Sequence, residues 1–156
     1  MATVLKALFI YILFAGNQSA FAQSTQCDAN AFREVVSTAS TSITQLHEKN
    51  NQLFQEKLQK LRAVNNWSEA EYVAKATPFV KDDVTLSLDS ANQALLAKVQ
   101  SLEAANASSE AGRCTMLSEL RLSMAKVVEN TAARWQHMLL KLAHASDGAI
   151  LAGVTQ

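Results

Sequence analysis

Apolar residues recur every three or four positions along most of this chain, the period of an amphipathic helix. From Asp28, an N-cap residue type directly after Cys27, the stripe runs Phe32, Val36, Ala39, Ile43, Leu46, Leu53, Phe54, Leu58, Leu61 and Val64. Arg33, Glu34, Glu48, Lys49, Glu56 and Lys57 flank it. Asn50 interrupts the stripe, and residues 37–44 are rich in Ser and Thr, so a local fray is expected there. Asn65-Asn66 closes this first segment.

A second start follows at once. Ser68-Glu69-Ala70-Glu71 has the spacing of a capping box, in which Ser68 accepts from the Glu71 amide and the Glu71 carboxylate reaches back. Thr77-Pro78 is expected either to kink this helix or to restart it. The stripe then continues through Val80, Val84, Leu88, Ala91, Leu95, Val99 and Leu102. Residues 106–112, Asn-Ala-Ser-Ser-Glu-Ala-Gly, carry the clearest loop signal.

The third segment is the most regular. Leu117, Leu120, Met124, Val128, Thr131, Trp135, Met138, Leu142 and Ala145 alternate steps of three and four, as a coiled-coil seam does. Ser146-Asp147-Gly148 predicts a glycine stop, leaving 149–156 as a short tail. Short connections between long helices predict an all-α, elongated up-down-up three-helix bundle with coiled-coil-like packing. A true corner at Thr77-Pro78 would make it a four-helix bundle.

The first residues change the setting. Lys6, then an apolar run over 7–15, then Ala20-Phe21-Ala22 with small residues at its first and third places, read as a cleavable signal peptide over 1–22. An uncleaved anchor is the alternative reading, although the run is short for a span of roughly 20 residues. The domain is then expected over 23–148, secreted or periplasmic, with no membrane contact once the leader is removed. Without Lys6 the 14 basic residues fall to 13 against 14 acidic, spread along the chain. That balance supplies no electrostatic basis for nucleic acid as a partner.

Export gives the two cysteines a meaning. Cys27 and Cys114 permit one pairing, and an even count in an oxidising compartment favours a disulfide. In an up-down-up bundle the starts of the first and last segments share one end, so the expected bond and the expected topology agree.

Signatures of catalysis are missing: no Gly-x-Ser-x-Gly, no His-Glu-x-x-His and no glycine-rich phosphate loop. The one adjacent carboxylate pair, Asp82-Asp83, points two ways on a helix. His137 and His144 lie seven apart on one helix face, and His47 falls at about the height of His137 if the cysteines share a floor. His47, His137 and His144 are therefore the candidate transition-metal ligands, with haem held by Met124 or Met138 and a histidine as a further option. The plain reading places each histidine on a solvated flank, with no cofactor. Trp67, Tyr72 and Phe79 cluster near the first turn-around, either as a patch for a partner or as a plug for the open end. Asn66 and Asn106 head glycosylation sequons. The expectation is an exported, non-catalytic bundle, monomer or homodimer, that binds another protein. A metal- or haem-binding bundle using His47 and His137 is the alternative.

Overall fold

The computed structural model describes residues 27–104 and 109–154 of the 156. The expected leader, the Asn106 sequon and the last two residues lie outside these. Among the described residues four helices follow one another: α1 (Ala29–Val64), α2 (Glu69–Val80), α3 (Asp83–Ala104) and α4 (Glu110–Val154).

The capping signals act where the sequence places them. Asp28 accepts from the amides of Asn30 and Ala31, both at 2.9 Å. Ser68 and Glu71 form the reciprocal box, with Glu71 accepting from the Ser68 amide at 3.0 Å. α1 then runs unbroken for 36 residues, about 54 Å at the helical rise, through the stretch where a fray was expected. Within that stretch Ser42 donates to the Thr38 carbonyl at 2.9 Å, a bond made inside the helix. Asn50 likewise donates to the Leu46 carbonyl at 2.7 Å, so its half-buried amide sits in the stripe without breaking it.

α4 is the organising helix: α1 and α3 both pack against it, and they do not close on one another to the same degree. Cys27 bonds Cys114, and their Cα atoms lie 5.0 Å apart, ordinary for a disulfide. From that shared end α1 and α4 run parallel, because His47 and Phe54 further along α1 meet Trp135 further along α4. α2 and α3 return antiparallel, one descending path broken in two. The architecture is therefore up, down in two pieces, and up.

Three expectations need correction. The corner lies at Lys81–Asp82, not at Thr77-Pro78. Pro78 sits in the last turn of α2, where it removes one backbone donor, and the helix survives only to Val80. Gly148 does not stop α4, which continues to Val154. One glycine costs a helix only about 1 kcal/mol relative to alanine, and Ala149, Ile150, Leu151 and Ala152 carry it on. Gly112 is likewise inside α4, whose first turn begins at Glu110 rather than beyond the polar run.

The core has two parts. Near the disulfide, Ala39, Val99, Leu120 and Met124 form one buried cluster. Toward the opposite end Phe54, Leu58, Leu61, Trp135, Met138 and Leu142 form the larger one. Leu142 has no solvent exposure, and burying such a side chain contributes about 1.5–3 kcal/mol.

Candidate functional site

α4 carries two neighbouring seams. The apolar one, through Leu117, Met124, Trp135, Met138 and Leu142, is the one its hydrophobic pattern predicts. The second runs through Glu119, Ser123, Val127, Asn130, Arg134, His137 and Lys141, again in steps of three and four. Ser123, Val127 and Asn130 are buried on it. It faces α3 and the α2–α3 corner, and it is mostly polar.

A ladder of side-chain pairs follows this seam. Lys98 meets Glu119 at 3.4 Å, Asn130 donates to Asn92 at 2.9 Å, and Arg134 meets Asp89 at 3.1 Å. At the corner His137 Nε2 donates to Asp82 at 2.7 Å, and Lys141 Nζ donates to the same carboxylate at 2.5 Å. Descending α3 meets ascending α4 in one antiparallel register throughout. The exposed Lys98–Glu119 rung adds little stability; the rungs nearer the corner are less exposed.

This ladder also corrects the α3 face. Val84 is 47 % exposed, while Thr85, one residue on, is 1 % exposed. The inward set is Thr85, Leu88, Asn92, Leu95, Val99 and Leu102, a heptad-like seam in which Thr85 and Asn92 replace the expected Val84 and Ala91. The corner at Lys81–Asp82 resets the phase, so the stripe cannot be carried across from α2.

Asp82 is the node of the corner. Its Oδ1 caps α3 by accepting from the Thr85 amide at 2.9 Å, and its own amide donates to Thr85 Oγ1 at 2.9 Å. Oδ2 takes Lys141 and His137. The Lys141 ammonium, then His137, then the Thr85 amide hold the Asp82 carboxyl far below the usual carboxylate range. Lys141 also donates to the carbonyl of Pro78, which the end of α2 leaves without a helical partner. One lysine of α4 thus closes the end of α2 and the start of α3 together.

An aspartate that orients a histidine is part of hydrolytic triads. Among the described residues no hydroxyl or thiol hydrogen-bonds His137, and both cysteines are in the disulfide. The pair ties α4 to the start of α3.

The other candidate residues are placed as follows. His47 packs edge-on to Trp135, centroids 5.6 Å apart, at the expected height beside His137. It nevertheless lies on the α1 side of α4, while His137, two residues from Trp135 and about 200° round the helix, faces Asp82. His144 is exposed. Among the described residues no three His, Cys, Asp or Glu side chains gather as an ion would need. Met124 and Met138 are buried in separate core clusters. Trp67, Tyr72 and Phe79 all pack, half-buried, against the larger core cluster. Asn66, the sequon residue in the described chain, is exposed at φ 53° in the α1–α2 turn.

Asn92, Asn130, Arg134 and Lys141 escaped the sequence reading, and Asp82 entered it only as half of an adjacent carboxylate pair, because a search for apolar stripes passes over polar seams. Their signal was present as complementary residues at helical spacing on two antiparallel segments. No protein-family model, curated protein or solved structure matches this chain.

Proposed function

We propose that this protein is an exported, non-catalytic helical bundle that works by binding another protein through the groove between α1 and α3. The observation that carries this reading is the incomplete closure of those two helices over α4. Near the disulfide they leave an open groove of about 500 Å³, walled by Phe32, Val36, Val99, Leu102, Met116 and Leu120. Among the described residues Arg33 is the one charged residue on its lining. An amphipathic helix laid there would turn three packed helices into four, the helix-in-groove mode of recognition. The leader motif and the disulfide support export, since such bonds persist in oxidising compartments. Among the described residues no helix is long and apolar enough to cross a membrane.

The test is site-specific photocrosslinking in the native host from Val36 and, separately, from Leu122, an α4 side chain that is 71 % exposed and not on the groove lining. A discrete adduct to one protein from position 36, absent from position 122 and lost in Leu120→Asp with the helical spectrum retained, supports the reading. Equal labelling from both positions, or none from either, overturns it.

A further inference from the structure

The structure points to a second device at the other end of the bundle, and we infer that α2 is a hinged lid over the larger core cluster, held shut by Lys141. Among the helices, α2 is set apart by its packing: it contributes no buried residue, whereas α1, α3 and α4 each do. It touches the rest along one narrow face, where Tyr72, Ala76 and Phe79 lie on the core cluster. Its outer face is solvated, with Val73 70 % exposed.

Both of its ends are non-helical. Asn66, with φ 53°, turns the chain before it, and Lys81, with φ −138° and ψ 104°, is extended after it. Such element-terminal residues are where hinge motion is absorbed. Polar ties hold the two ends. At the first, Arg62 pairs with Glu69 at 2.5 Å, but the Glu69 side chain is 85 % exposed and water competes for it. At the second, Lys141 grips Asp82 and the Pro78 carbonyl from a site where its side chain is only 28 % exposed. The second tie is the stronger because it is charge-assisted on both acceptors and more sheltered.

α1 and α3 are each joined to α4 without the help of α2. The disulfide and the apolar seam fix α1 to α4, and the ladder from Asp89 to Lys98 fixes α3 to α4. A helix of 12 residues is marginal on its own in water, so an opened α2 loses its helical bonds as one unit. The device is thus a local unfolding step with defined limits, 66 to 81, rather than general fraying. It does not depend on the groove at the disulfide end.

Hydrogen exchange on the intact oxidised protein tests it. In the wild type, amides of 70–80 exchange through an opening at least tenfold more frequent than the one exposing 92–99 and 117–131. Lys141→Met keeps the aliphatic stem and removes the donor, and it speeds exchange in 70–80 by about tenfold, the order expected from losing one charge-assisted bond. The other two segments stay unchanged. Lys126→Met, which breaks only an exposed i,i+3 pair with Glu129, changes neither. If α2 exchanges together with the rest of the bundle in the wild type, or Lys141→Met speeds all three segments alike, the lid is wrong. Should Lys141→Met fail to fold, the wild-type comparison alone decides.

Discussion

Asn130 of α4 donates its side-chain amide to Asn92 of α3 at 2.9 Å, midway along the polar ladder, with Asn130 only 6 % exposed. Two amides in this seam are satisfied chiefly by each other. Asn130→Leu alone strands the Asn92 oxygen and is expected to destabilise the bundle by about 1–3 kcal/mol. Asn92→Leu together with Asn130→Leu removes both polar groups and recovers most of that loss. A double-mutant cycle by denaturant unfolding measures the coupling. A buried asparagine pair also fixes which residues of two helices stand opposite. The double variant should therefore show a second α3 register as extra or broadened amide resonances, even where stability is restored.

The Cys27–Cys114 bond closes α1 onto α4 across a sequence separation of 87. Chain entropy alone assigns such a loop roughly 4–5 kcal/mol. Cys27→Ser with Cys114→Ser, or mild reduction, should lower the unfolding midpoint in urea without changing the helical content of what remains folded. If the proposed export and leader removal hold, the wild type recovered outside the cell or from the periplasm should have the mass of a chain beginning at Gln23, less two hydrogens. Two alkylatable thiols in that sample would contradict the bond.

The bundle was legible because its helices are long and their apolar periods repeat. Asp28 and the Ser68–Glu71 box were legible because caps are local chemistry. The corner was misplaced by four residues because Pro78 is a conspicuous breaker, whereas Asp82 with Thr85 is an N-cap hidden inside an apolar stripe that Val80 and Val84 carry across it. The missed ladder has a different cause. His137, Arg134 and Lys141 look like a solvated flank until an antiparallel α3 brings Asp82 and Asp89 to them. That pairing is tertiary, and a single helix stripe cannot display it. Trp67, Tyr72 and Phe79 stand near one another in the sequence, but only their packing against the larger core cluster shows which way they face.

Two carboxylates at the corners shape the acid limb of stability. The Asp82 carboxyl is lowered by Lys141 and His137, and the Glu71 carboxyl by the Ser68 hydroxyl and amide. A depressed carboxylate stabilises the fold fully once the pH exceeds its unfolded value of about 4, and that contribution is lost as pH falls through the folded value. Stability should accordingly be flat from pH 7 to about 5 in these two terms and decline below about 4. Asp82→Asn should flatten the acid limb and lower the neutral plateau. Urea midpoints taken from pH 2 to 7 on both proteins check the sign, and an unchanged acid limb in Asp82→Asn would exclude Asp82 as a source of it.

Trp135 offers a separation of packing from polarity. It is 6 % exposed and sits between the His47 and Phe54 rings, both edge-on to it, yet its buried indole N–H has no hydrogen-bond partner among the described residues. An unpaired buried donor costs about 1–3 kcal/mol. Trp135→Phe removes that donor along with part of the ring, so the two changes oppose, and the net effect should stay within about 1 kcal/mol. Trp135→Ala removes the packing outright and should cost about 3–5 kcal/mol. Trp135→Phe also leaves Trp67, at the hinge of α2, as the sole tryptophan of the two in the chain. Its fluorescence then reports the lid end of the bundle, while circular dichroism reports all four helices. In urea the two signals should separate, Trp67 changing first; coincident transitions would mean that α2 and the rest of the bundle unfold as one.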